Sequence, residues 1–278
     1  MFRRINAWMD RQNFLVQITV ILLFVFAIRT FLVGLYLVPT GSMEPTMLVG
    51  ERFVADKLTP FFREFQRGEI IAFDNPNFEY SSNPLKFLFQ QYVWGPDNWT
   101  KRVVGLPGER VQGKIEDGKP VIYINGKKLD EPYVNPYPLI YVRDRKGGPY
   151  EISRRTFDPA KGLGNQPFYK IDPADLLPSS YDSLLYAGTP QSYDEFDFTL
   201  GADEYWVMGD NREGSHDCRS WGKDAKGMPL KRSLIHGRIF FRILSIDSQE
   251  GWLLLDMIKH PISFWSKVRW SRCLNIVR

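Results

Sequence analysis

A serine, a lysine and one short polar loop are the residues of this chain whose types and surroundings could do chemistry. Ser42 lies in Val38-Pro39-Thr40-Gly41-Ser42-Met43-Glu44-Pro45-Thr46-Met47. Pro39 and Pro45 fix their own φ and push the residues before them towards extended geometry, and Gly41 admits backbone angles closed to other residues, so the hydroxyl is expected to be held in place. A serine hydroxyl is a poor nucleophile until a base takes its proton. Lys101 is the best base on offer: on a strand it shares a face with Trp99 and Val103, which strip water from the amine, while Arg102 points the other way. To serve near neutral pH a lysine must fall from about 10.4 to roughly 7–8, and desolvation can supply such a change. An open strand would instead make the same lysine an ordinary surface cation.

The loop Gly209-Asp210-Asn211-Arg212-Glu213-Gly214-Ser215-His216-Asp217-Cys218-Arg219 gathers short polar side chains and opposite charges. Ser215 could hydrogen-bond and orient a neutral amine, and Asp217 with Arg219 could form a pair that fixes the loop. The same residues also make an ordinary Asp/Asn/Gly turn. His216 beside Asp210 or Asp217 suggests a Ser-His-Asp arrangement, which ranks lower because Ser42 sits in Gly-Ser-Met-Glu-Pro and not in a G-x-S-x-G elbow. Cys218 and Cys273 with His216, His236 and His260 show no metal-ligand spacing, and nothing calls for a cofactor. The two cysteines are free thiols or a single bridge.

These groups need elements to position them. Phe14 to Ile28 carries no charge, and Arg29 can snorkel at the far interface, so residues 14–30 form the expected transmembrane anchor after a cytoplasmic segment 1–13. Arg3, Arg4 and Arg11 before the span put the N-terminus in the cytoplasm and the rest outside. A cleavable secretory signal is the competing reading, but no small-x-small site follows Ile28 at the usual distance. Beyond the anchor, 22 Gly, 19 Pro and 15% aromatics point to short strands and many turns. Residues 51–55, 68–73, 101–104, 121–124, 205–208 and 237–244 have strand character, and Asn125-Gly126 marks a hairpin. The expected fold is therefore mainly β: an antiparallel catalytic domain over 31–130 and 200–278, with 131–199 a loop-rich insertion or small second domain. A net charge of +4 without a basic, aromatic-interleaved stripe in mid-chain gives no nucleic-acid partner. The C-terminal Lys259, Lys267, Arg269, Arg272 and Arg278 with Phe264, Trp265 and Trp270 suit either an anionic headgroup layer or a solvated basic tail.

Taken in order behind one span, PTGSMEPTM (39–47), RGEIIAFDNP (67–76), KRVVGLPGER (101–110) and GDNREGSHDCR (209–219) resemble the boxes of bacterial type I signal peptidase. Each box alone is weak and the set is specific. The resemblance implies a serine endopeptidase of the bacterial plasma membrane with its catalytic domain on the periplasmic side. Its partners would be the lipid bilayer and exported preproteins, cut after small residues. It implies Ser42 as nucleophile, Lys101 as general base, Ser215 as the residue orienting that lysine, and Asp217 with Arg219 as a supporting ion pair. Thr40 would share the oxyanion with the Ser42 N–H, and Val38, Met43 and Thr100 would shape small apolar substrate pockets. Three departures stand out: Cys218 replaces the usual serine, Thr40 carries an extra methyl that restricts its hydroxyl, and one span precedes Ser42 where some members have two. Two rivals remain open: a dedicated Ser/Lys maturation peptidase of a conjugation or pilus system, and a non-catalytic, membrane-tethered β module that binds envelope proteins.

Overall fold

The structure is a computed structural model and describes residues 12–144, 151–177, 191–223, 226–247 and 253–277. Arg3, Arg4, Arg11 and Arg278, on which the topology and tail readings draw, lie outside the described residues, as do 145–150 and 178–190 of the expected insertion.

The chain enters through helix α1 (Phe14–Phe31), whose start is closed by Asn13 Oδ1 accepting the Val16 N–H at 3.0 Å. Its 18 residues rise about 27 Å, and none is buried by the rest of the protein. Among the described residues this helix alone is long and apolar enough to cross a bilayer. It stops shortly before Gly34, a poor helix former. The apolar run beyond Phe31 belongs to strand β1 (Val33–Leu37), which turns back through the Ser42 segment into β2 (Arg52–Asp56).

Short helix α2 (Thr59–Phe62) leads to β3 (Ile70–Asp74), and helix α3 (Pro84–Tyr92), capped by Asn83, fills the connection to β4 (Asn98–Gly105). A meander follows: β5 (Arg110–Glu116), β6 (Lys119–Ile124) and β7 (Lys127–Lys128), the last two joined by Asn125-Gly126 with φ of 51° and 81°. Hairpin β8 (Leu139–Asp144) and β9 (Glu151–Thr156) stands apart, with its own cluster of Ile140, Val142, Phe157 and Ile171. The chain then runs through β10 (Phe196–Thr199), β11 (Glu204–Met208), β12 (Leu230–Lys231) and β13 (Ile235–Leu244). It closes with α4 (Leu253–Lys259), α5 (Pro261–Ser266) and β14 (Asn275–Ile276).

Among the described residues all strand pairings are antiparallel. The large sheet runs β1-β2-β13-β3-β4-β11-β12, with β14 on β13, and a smaller sheet runs β10-β5-β6-β7. The main core lies where these sheets meet: Trp206 of β11 packs between Phe196 and Phe198 of β10, at ring separations of 4.7 and 4.8 Å. Aromatic contacts of this kind add to the area they bury. Thus β10, at the end of the 131–199 stretch, is built into the small sheet by pairing with β5.

The C-terminal arginines differ from the free-tail expectation. Arg272 Nε donates to Glu51 at 2.7 Å and its Nη2 to the carbonyls of Thr46 and Pro45 at 3.0 and 3.2 Å, so it braces the turn that follows Ser42. Arg269 donates to the Phe168 carbonyl. Carbonyls and a buried carboxylate outcompete water for these guanidinium groups. Trp265 and Trp270 remain exposed and stack at 5.9 Å.

Candidate active site

The serine sits on a single tight turn, Gly41–Met43, entered through extended Thr40. Val38, Met43 and Met47 root the turn in a cluster with Phe53, Ala55, Ile70, Ala72 and Ile239. Gly41 is not in the left-handed region; what it permits is close approach, because a Cβ there would lie 2.8 Å from Glu44 Oε1. That Glu44 carboxyl is fully buried, accepts the Tyr169 hydroxyl at 2.5 Å, and is pushed by burial up to about 7.

Lys101 comes from the middle of β4, where Ile71 of β3 is its neighbour. Alternation along the strand separates it from Arg102, which turns to Asp210 in a buried pair at 2.7 Å. Lys101 is 5% exposed, and its amine lies 3.0 Å from Ser42 Oγ, with a second bond of 3.2 Å to the Thr100 carbonyl. Burial pulls it down from 10.5 to about 8, against the opposing pull of the Asp217 carboxylate. A neutral amine at that distance can accept the serine proton.

The 209–219 loop closes over both groups. Asn211 Nδ2 donates to the Gly41 carbonyl at 2.9 Å and its N–H to the Ser42 carbonyl at 3.1 Å, so one residue grips the serine turn twice. Gly209 makes room for this grip: a Cβ there would fall 2.4 Å from the Ser42 carbonyl oxygen and 2.3 Å from Ser215 Oγ. Asp217 accepts the Gly209 N–H at 2.9 Å and Arg219 Nε at 2.9 Å. Burial works against its charge, but the Arg219 guanidinium and these bonds hold its carboxyl down at about 2. Arg219 in turn donates to Asp194 at 2.6 Å.

Ser42, Lys101, Asp217 and Arg219 are thus brought together. Ser215 Oγ is buried beside Gly209 and is not hydrogen-bonded to Lys101 in this state. Thr40 is exposed at the start of the turn, and Thr100, opposite Ala72, is half-buried next to Lys101. Val38 and Met43 pack in one cluster below the serine. His216 is exposed, bonds Ser220 Oγ at 2.7 Å and packs on Trp99, so no Ser-His-Asp arrangement forms. Cys218 is a buried free thiol that accepts the Val207 N–H at 3.2 Å, with burial raising its pKa. The roles of Asn211, Glu44, Tyr169, Asp194 and the Arg102–Asp210 pair escaped the sequence reading. Each depends on a partner more than 20 residues away, which no local spacing encodes.

The family model described as "Signal peptidase, peptidase S26" matches residues 11–244. A probable signal peptidase I-2 of Synechocystis sp. is 25% identical over 237 residues, covering 85% of this chain and 73% of its own. Signal peptidase I of Pseudomonas aeruginosa is 26% identical over 242 residues, covering 79% and 68%. Signal peptidase IB of Staphylococcus aureus is 27% identical over 231 residues, covering 83% and 87%. A crystal structure of a signal peptidase I from Enterococcus faecalis aligns with a TM-score of 0.30 at 23% identity, over 63% of this chain and 97% of the other, a score that adds nothing to the geometry above. With the family model spanning most of the chain, this protein belongs to the signal peptidase, peptidase S26, family and is a serine endopeptidase of the signal peptidase I type.

Proposed function

We propose that this protein removes N-terminal signal peptides from exported preproteins by acyl transfer through Ser42, with Lys101 as the general base. The observation that carries the reading is a buried amine, depressed to about 8, lying 3.0 Å from a hydroxyl on a rigid turn. Neutral Lys101 takes the Ser42 proton as Oγ attacks the carbonyl of the last signal residue, and the resulting oxyanion is met by the Ser42 N–H and the Thr40 hydroxyl. The protonated lysine delivers its proton to the leaving amine. Water activated by the same lysine then frees the signal and regenerates Ser42.

Asp217, held by Arg219, and Ser215 serve as supports of the lysine's surroundings. Val38, Met43 and Thr100 shape the space for small side chains before the cut. Helix α1 anchors the enzyme in the bacterial plasma membrane with its N-terminus cytoplasmic and its catalytic domain outside, which turns a three-dimensional search for the signal's end into a local encounter.

The test is a preprotein incubated in detergent with wild type, Ser42→Ala and Lys101→Ala, with the cut mapped. Cleavage after a small-x-small triplet, lost in both variants while the fold persists, supports the proposal. Near-normal turnover by either variant overturns it.

A further inference from the structure

The large sheet has an edge at which α1 arrives. Leu32, just past α1, accepts the Lys57 N–H at 3.1 Å, and Val33 pairs with Asp56, so the end of β2 sits beside the end of the anchor. Antiparallel order brings the start of β13, the end of β3 and the start of β4 to this same edge, through the registers Arg238 with Asp56, Ile235 with Phe73, and Asp74 with Asn98. Two connections leave from this edge: 57–69, carrying α2, and 75–97, carrying α3.

Apart from Phe65, which enters the main core, both connections carry large apolar side chains that face outward. Phe61 is 73%, Phe62 80%, Leu85 79% and Trp94 79% exposed, and Leu88 and Phe89 are at least half exposed. No residue of α3 is buried, although Asn83 caps it properly on the N–H groups of Leu85 and Lys86 and Pro84 opens it. Within 84–94 the polar side chains are Lys86, Gln90 and Gln91, and Gln90 already accepts the Ser81 N–H at 2.8 Å. A folded, capped helix with this surface is unstable in water, and such a patch marks a partner. Continuity identifies that partner: Tyr92 packs its ring against Phe31, the last residue of α1, at 6.3 Å. Helices rich in Phe, Leu and Trp that lie level with a span's exit belong in the headgroup and upper acyl region.

We infer that residues 58–62 and 84–94 form an apolar collar around the exit of α1 that is embedded in the lipid bilayer interface. The collar rests on the anchor reading above and adds a depth for the chemistry. Lys101 is three residues along β4 from Asn98, so the Ser42–Lys101 pair stands about 10 Å beyond the collar edge. A scissile bond would need only about three extended residues after the membrane-embedded part of its signal to reach Ser42.

The test uses the full-length chain with Cys273→Ser, labelled at single Leu88→Cys or Phe62→Cys positions with an environment-sensitive fluorophore. The protein is placed in vesicles of phosphatidylethanolamine with phosphatidylglycerol that carry shallow or deep nitroxide lipids. Both labels are expected to be quenched by the shallow lipid, a Lys127→Cys label at the start of β7 to be unquenched, and a Leu22→Cys label to be quenched by the deep one. Quenching at position 22 with positions 62 and 88 behaving like 127 overturns the collar and leaves the anchor standing. Absence of quenching at 22 removes the anchor and the collar together. A second readout is a Leu88→Ser, Phe89→Ser, Trp94→Ser variant, expected to cleave a vesicle-bound preprotein about three- to tenfold more slowly while matching wild type on a soluble peptide in detergent. Equal losses on both substrates would assign these residues a folding role and refute the collar.

Discussion

Replacing Lys101 by methionine should abolish activity and make the protein more stable at neutral pH. The amine is held at about 8 where an exposed lysine has 10.5. At 1.36 kcal/mol per pH unit that gap amounts to about 3 kcal/mol of destabilisation whenever the unfolded chain is protonated and the folded site must be. Because the folded pKa is the lower one, the unfolded state binds more protons between pH 8 and 10.5. The penalty is therefore full below pH 8 and fades as pH climbs through that window. Methionine fills a similar volume but loses the bonds to Ser42 Oγ and the Thr100 carbonyl, worth about 1 kcal/mol each, which leaves a net gain of about 1 kcal/mol at pH 7. Urea unfolding of the full-length chain in detergent, followed by tryptophan fluorescence at pH 7 and pH 10, measures both numbers. The variant should lead at pH 7 and lose its lead by pH 10. A difference between the two proteins that is independent of pH, or a variant less stable at pH 7, would refute the buried-amine account. If the same amine is the base, the cleavage rate of the wild type should rise with a limb near pH 8, with about a tenfold loss for each pH unit below it.

Other perturbations follow from the same geometry. Glu44→Gln should remove a slope in the stability curve: the wild-type carboxyl, raised to about 7 by burial, favours the folded state fully below pH 4.5 and loses that contribution as pH rises through 7. Urea midpoints at pH 5 and pH 8 should thus differ in wild type more than in the variant. Asn211→Ala removes the side-chain bond to the Gly41 carbonyl and leaves the backbone N–H bond to Ser42, so kcat should fall by up to about 10²-fold with little change in KM, and Asn211→Asp, which sets a carboxylate against that carbonyl, should fall at least as far. Thr40→Val should cost about 10²–10³ in rate if its hydroxyl meets the oxyanion, and an unchanged rate would leave the Ser42 N–H as the principal donor.

The β character of the domain was legible because each predicted strand carries its own signal. The runs expected at 51–55, 68–73, 121–124, 205–208 and 237–244 correspond to strands β2, β3, β6, β11 and β13, with ends displaced by a residue or two. The run at 101–104 proved longer on both sides, since Asn98 to Thr100 is drawn into the ladder by β3 and not by its own propensity. Helix α3 was invisible in advance: its pattern fits neither a buried stripe nor a water-exposed one. The pairing of Asp217 with Arg219 is seen, whereas the tail arginines read as suited to solvent or lipid although Arg272 is committed to Glu51.

By itself the sequence determined which residue types were available and in what local frame: a serine on a turn stiffened by two prolines, a lysine on a strand, an ion-pairing loop, and an apolar helix ahead of them. Tertiary structure alone decided that the lysine amine is desolvated beside the serine hydroxyl. Its pKa depends on how completely β3, β4 and the 209–219 loop exclude water from one amine, and its partner lies 59 residues earlier in the chain. Desolvation and a 3.0 Å separation are properties of packed surfaces that converge in space, and no local pattern of residues contains them.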